Sequence, residues 1–68
     1  MPRLSVTYGP REYWCLVSRA PTEAERAALA DEVARRLVEA APLTPGGHVP
    51  IILDAMEGAR RQLEVRRA

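Results

Sequence analysis

Five apolar side chains stand in a row at residues 13–17, Tyr-Trp-Cys-Leu-Val, near the start of a 68-residue chain. Because successive side chains of a β-strand point to opposite faces, a strand with this run is apolar on both faces. A single layer of helices covers only one of them. The run therefore predicts a strand that is covered on both faces, or one that needs a partner to cover the second.

The short chain also limits how its fold is stabilised. A domain of this size buries about 60% of its unfolded surface, and small natural domains usually add disulfides, a metal ion or a partner chain. A lone cysteine excludes an intrachain disulfide, and with one histidine it falls short of the four ligands of a structural zinc site. We predict one small domain, 1–68, with no metal and no cofactor, stabilised by a well-packed core and by association.

Composition restricts the classes of partner. The apolar fraction of 47% and the charged fraction of 28% are typical of a folded soluble protein. A net charge of +1 supplies no global field that would attract nucleic acid or an anionic membrane. No signal peptide is recognised at the start, and the longest stretch without a charged residue, 40–53, is too short and too interrupted to span a bilayer. We predict a cytoplasmic protein of bacterial or phage origin, with no membrane partner.

The first twenty residues carry the pattern of a β-hairpin. Polar and apolar residues alternate over 3–8, which places Leu4, Val6 and Tyr8 on one face of a half-buried strand. Gly9 and the following proline are typical of a turn. We predict a second strand at about 12–18 and a connecting loop of three to four residues.

A first helix is predicted at about 23–41. Thr22 and Glu25 have the spacing of a capping box, in which each side chain accepts a hydrogen bond from the other residue's backbone N–H. The apolar stripe has helical spacing and consists of Leu29, Val33 and Leu37.

The second helix is less firmly defined by the sequence. We favour a helix at about 50–66, because proline suits the first turn of a helix and would weaken a strand anywhere except its edge or start. The alternative makes 49–53 a short third strand, with Asp54 capping a shorter helix. The predicted fold class is accordingly α+β, with the order ββαα; the alternative order is ββαβα.

A surface on the hairpin is the strongest functional candidate. Tryptophan and tyrosine are enriched at interface hot spots, and an exposed apolar patch on a small domain usually marks a binding site. We predict interface roles for Tyr8, Tyr13, Trp14 and Leu16. The predicted function is a small non-enzymatic protein–protein interaction module: a homodimer, or a regulatory subunit or inhibitor that docks on a larger protein through its β-hairpin.

The alternative function is a small nucleic-acid-binding regulator. The densest basic cluster consists of Arg60, Arg61, Arg66 and Arg67, which hairpin arginines would join. Phosphate contacts need only local positive charge. Neighbouring glutamates dilute this charge, however, and a solvated helix end is the simpler explanation of the cluster.

No catalytic residue is predicted. A nucleophilic Cys15 would need an activating base, and nothing in the spacing brings it to His48, the only histidine. His48 follows two glycines, but the loop lacks the spacing of a phosphate-binding motif.

Overall fold

The computed structural model describes residues 1–65 and confirms the α+β class with the order ββαα. Its elements are β1 (Arg3–Tyr8), β2 (Arg11–Leu16), α1 (Glu23–Ala40) and α2 (His48–Val65). Residues 49–53 lie inside α2, so the alternative with a third strand is wrong. Pro50 sits in the first turn of α2, where its missing N–H leaves no intrahelical hydrogen bond unmade.

The two strands form an antiparallel hairpin that is tighter than the sequence predicted. Tyr8 pairs directly with Arg11, so the connecting turn consists of Gly9 and Pro10 alone rather than three to four residues. Gly9 has a φ of +62°, the left-handed conformation that a two-residue turn with glycine first requires. Proline follows with its fixed negative φ.

The predicted capping box is present at the start of α1. The Thr22 hydroxyl accepts a hydrogen bond from the Glu25 backbone N–H at 3.1 Å, and the Glu25 carboxylate accepts one from the Thr22 N–H at 2.8 Å. Arg19, in the connection from β2, donates two further hydrogen bonds to the same carboxylate. Glu25 therefore joins the hairpin connection to the helix as well as capping it.

The helices pack side by side on one face of the hairpin. Of the predicted stripe, Leu29 and Val33 are buried and Leu37 is partly buried. Arg36 of α1 donates a hydrogen bond to Asp54 of α2 at 2.6 Å. Gly58 of α2 stands at an open position, where a Cβ would meet no atom within 4 Å. Gly58 is therefore not a point of close contact between the helices.

The hydrophobic core lies between the hairpin and the helices. Alternation along the strands puts one set of side chains on this inner face, and the helices supply the rest. The core consists of Leu4, Val6, Tyr13, Val17, Leu29, Val33, Ile52, Ala55, Met56 and Leu63. The outward-facing apolar residues of β2 take no part in it, so the interior is complete without them.

Candidate interaction surface on the hairpin

The outer face of the hairpin carries two large apolar side chains that the helices cannot reach. Trp14 is 49% exposed and Leu16 is 50% exposed, and both lie on β2 with their side chains directed away from the helices. Opposite them on β1 stand Ser5 and Arg3. We call this set, with Thr7 and Glu12, the outer face. It has the exposed apolar character that the sequence predicted for one side of the second strand.

Arg3 covers one side of the tryptophan. Its guanidinium carbon lies 4.3 Å from the centre of the Trp14 ring, within the range of a cation–π contact. The register places Arg3 opposite Leu16, so it approaches Trp14 diagonally from β1. This arrangement holds the indole in one orientation while leaving half of its surface in solvent.

The backbone of the hairpin offers unpaired groups at both edges. The Val17 N–H donates to the Pro2 carbonyl at 3.1 Å, and this pair follows Arg3 and Leu16 in the register. Hydrogen-bonded and non-hydrogen-bonded pairs alternate along an antiparallel ladder. The residues whose N–H and C=O point outward are therefore those of the outer face: Arg3, Ser5 and Thr7 on β1, and Glu12, Trp14 and Leu16 on β2.

Ion pairing differs between the helices and the hairpin. Most charged residues of the helices form ion pairs, as Glu32 does with both Arg35 and Arg36. Within residues 1–65, in contrast, Arg3, Arg11 and Glu12 have no ion-pair partner. The charges left without an opposite partner thus include all of those on the two strands.

The four side chains predicted for the interface separate into different surroundings. Trp14 and Leu16 share the outer face. Tyr13 points inward and is 9% exposed, with its hydroxyl buried and unpartnered in the described part of the chain. Tyr8 is 40% exposed and lies at the end of β1, its ring centre 4.7 Å from that of His48. The structure thus divides the four into two pairs: Trp14 and Leu16 on the outer face, and Tyr8 and Tyr13 beside His48.

His48 fills a structural place at the start of α2. Its ring lies against Tyr8 on one side, and the centre of the Tyr13 ring is 6.4 Å away in an edge-on arrangement. No sequence pattern predicts this cluster, because its three residues come from three different elements. The contacts fix the free end of the hairpin against the helix.

The structure places Cys15 and His48 beside different parts of α2. Burial raises the pKa of the Cys15 thiol, with Arg60 lowering it and Glu57 raising it further. Glu57 and Arg60 lie well along α2, whereas His48 begins that helix, about 13 Å from Glu57 along the axis at 1.5 Å per residue. A raised pKa leaves less thiolate at neutral pH, so the thiol is a weaker nucleophile.

The basic cluster predicted for nucleic acid is paired where the structure describes it. Arg60 donates two hydrogen bonds to the Glu57 carboxylate, and Arg61 donates one to the same group at 3.2 Å. These bonds lower the pKa of Glu57, with Arg60 contributing most. Arg66 and Arg67 lie outside the described residues.

An open groove of about 380 Å³ runs between the two helices. Its walls include four small residues and its floor three leucines; the small residues are Ala28, Ala55, Gly58 and Ala59. At its rim, Glu25 and Glu32 already bind arginines. The small residues on the two helices are the only sequence feature that indicates this groove. They do not predict it, because small residues are equally typical of closely packed helices.

Across residues 1–65, no group of three His, Cys, Asp or Glu side chains stands close enough to hold a metal ion. In the same part of the chain, neither helix combines the length and the apolar character needed to cross a membrane.

The fold and the site together define a small α+β domain whose helices cover one face of a two-stranded hairpin. Its other face presents an exposed tryptophan beside an open strand edge. No protein-family model, curated protein or solved structure matches the chain. Any assignment of function therefore rests on the geometry of the chain itself.

Proposed function

We propose that this chain is a small non-enzymatic interaction module that docks on another polypeptide through the outer face of its hairpin. The observation that carries the proposal is the half exposure of Trp14 and Leu16 beside each other, outside a core that is complete without them. Apolar side chains of this size favour removal from water, and clustered exposed ones usually mark a contact surface.

Three other features support a polypeptide as the ligand. An open strand edge presents N–H and C=O groups that an added strand satisfies directly. A two-stranded sheet is marginal by itself, and further strands make it more stable. The unpaired charges of Arg3 and Glu12 flank the apolar pair and suit the polar rim that surrounds a hot spot.

The alternative, a nucleic-acid-binding regulator, has less support from the described residues. Arg60 and Arg61 share Glu57, so a phosphate would have to displace a carboxylate to reach them. The hairpin contributes Arg3 and Arg11, which have no acidic partner among residues 1–65. Binding to DNA or RNA at low salt, with an affinity that falls steeply as salt rises, would favour this alternative.

The proposal is tested by replacing Trp14 and measuring association. Leu53 is a matched control, because it is 52% exposed but lies on α2. We expect Trp14→Ala to weaken concentration-dependent association in sedimentation velocity, or to abolish capture of specific partners from a lysate, while Leu53→Ala leaves both unchanged. If the two variants behave alike in both measurements, the outer face is not the docking surface.

A further inference from the structure

We infer that the occupant of the docking surface is a second copy of this chain, paired antiparallel along β2 with Trp14 opposite Trp14. The inference rests on the proposed function, since it names the partner for the same surface. It is carried by the register of the hairpin, by the apolar residues of β2 and by the positions of the unpaired charges.

The edge of β2 is complementary to itself. Its outward N–H and C=O groups belong to alternate residues, Glu12, Trp14 and Leu16, which stand symmetrically about the tryptophan. A two-fold axis through Trp14 places Glu12 opposite Leu16 of the second copy and lets all three residues exchange backbone hydrogen bonds. If the register of the two β2 strands shifts by two residues, one of the three residues on each strand has no partner. If it shifts by one, the outward N–H and C=O groups of one strand face residues of the other whose own groups point toward β1.

The same register also matches the side chains. Trp14 and its symmetry mate share the outer face, and each has Leu16 as a neighbour on its own strand. Glu12 stands opposite an apolar residue, so no like charges are opposed across the new pairing. Cys15 comes to face Tyr13 of the second copy on the inner side, next to the helices. The result is a four-stranded sheet with all four helices on one face.

The unpaired charges become complementary in this arrangement. Arg3, Leu16 and Glu12 of the second copy stand in one row across the sheet. Adjacent strands alternate between spacings of about 4.5 and 5.5 Å, so the Arg3 and Glu12 backbones are about 10 Å apart. That gap suits one long basic and one long acidic side chain reaching toward each other. Two such pairs, related by the two-fold axis, would bracket the tryptophans.

The edge of β1 is the competing surface for a second copy. It is centred on Ser5, and pairing there would place Ser5 opposite itself and Arg3 opposite Thr7. No large apolar side chain lies on this edge, so Trp14 and Leu16 would remain outside the new contact. The distribution of exposed apolar surface therefore favours β2.

Amide hydrogen exchange tests the edge without any substitution. As the concentration rises from micromolar to millimolar, we expect exchange to slow at the N–H groups of Glu12, Trp14 and Leu16. Exchange at Arg3, Ser5 and Thr7 should stay constant, because those groups face the opposite edge. Slowing at the β1 set instead, or no change in either set, overturns the inference.

Disulfide trapping tests the register. In a Cys15→Ala background, Glu12→Cys and Leu16→Cys are prepared separately, one of them isotopically labelled, then mixed and oxidised. The proposed register puts these two positions about 5.5 Å apart between copies, within the range of a disulfide. Like positions are offset by four residues along the strands and by one strand spacing, which puts them about 14 Å apart. We expect mixed dimers to exceed either like dimer several-fold in mass spectrometry.

The control for the other edge is Ser5→Cys in the same background, which cross-links with itself only if the β1 edges pair. Mixed dimers in no more than the two-fold excess over each like dimer that random pairing gives, or efficient trapping through Ser5→Cys, overturns the inference. Association that Trp14→Ala weakens, without trapping at Glu12 and Leu16, would refute the β2 pairing but leave the proposed docking surface standing. If Trp14→Ala leaves association unchanged and no trapping occurs at Glu12 and Leu16, the whole proposal fails rather than the register alone.

Discussion

Arg3 holds its guanidinium carbon 4.3 Å from the centre of the Trp14 ring, across the two strands of the hairpin. The contact joins the only tryptophan to a charged residue that has no acidic partner within residues 1–65. It therefore supplies both an orientation for the indole and a spectroscopic reporter for the surface that we propose as the docking site.

Replacing Arg3 should uncover the tryptophan. An exposed cation–π contact contributes about 0.5–1 kcal/mol, so we expect Arg3→Ala to lower the free energy of unfolding by about that amount. Quenching of Trp14 fluorescence by acrylamide should become more efficient. Arg11→Ala is the control, because Arg11 lies at the far end of β2. Equal quenching in both variants would contradict the contact.

Acid should weaken the fold through Glu25. Two hydrogen bonds from Arg19, then one from the Thr22 N–H, lower the pKa of Glu25 from 4.5 to about 2. A depressed pKa means that the ionised form is favoured in the folded state. The stabilisation is therefore present above pH 4.5 and is lost as the pH falls through about 2.

The measurement is the thermal midpoint by circular dichroism across that pH range, in the native chain and in Arg19→Gln. We expect a smaller fall in the variant, because the chief cause of the depressed pKa is gone. Arg26→Gln is the control, since its contact with Glu23 is longer, at 3.9 Å. An unchanged pH dependence in Arg19→Gln would count against this account.

The buried Tyr13 hydroxyl should lower the free energy of unfolding. It is buried with no hydrogen-bond partner in the described residues, and an unsatisfied buried polar group costs about 1–3 kcal/mol. Tyr13→Phe keeps the ring in the core and removes the hydroxyl, so we expect a gain of about 1 kcal/mol in urea unfolding. Tyr8→Phe, at an exposed position, should change little. A loss of stability in Tyr13→Phe would show that the hydroxyl is satisfied.

Two glycines should respond in opposite directions to substitution by alanine. Gly58 lies within α2 with open space around its Cβ position, so Gly58→Ala should stabilise the fold by about 0.5–1 kcal/mol. Gly9 has a positive φ, and Gly9→Ala should destabilise it by about 1–3 kcal/mol. Chemical unfolding measures both shifts, and the same sign for the two variants would refute the backbone argument.

Local patterns predicted most of the architecture. Alternation along residues 3–8 separated the inner and outer faces, and Thr22 with Glu25 marked the start of α1 correctly. The turn was predicted too long, because the conformations of Gly9 and Pro10 that allow direct pairing of Tyr8 with Arg11 are not visible in a hydropathy pattern. Such errors concern the ends of elements rather than their type.

Contacts between elements were beyond the sequence. The bond from Arg19 to Glu25, the stacking of Tyr8 on His48 and the contact of Arg3 with Trp14 each depend on how separate segments meet. Of the predicted interface residues, Tyr13 turned inward, as its alternation with Trp14 requires once one face is covered by helices. The outward position of Trp14 and Leu16 follows from the same alternation of side chains along the strand.

The open groove between the helices has a practical consequence for measuring stability. Its volume of about 380 Å³ falls within the range of ordinary small-molecule pockets. An environment-sensitive dye that binds in this groove would fluoresce while the domain is still folded, so its emission would start from a raised baseline. In a thermal-shift screen with such a dye, the rise in emission on unfolding would therefore be small. Circular dichroism of the peptide backbone would show the full unfolding transition.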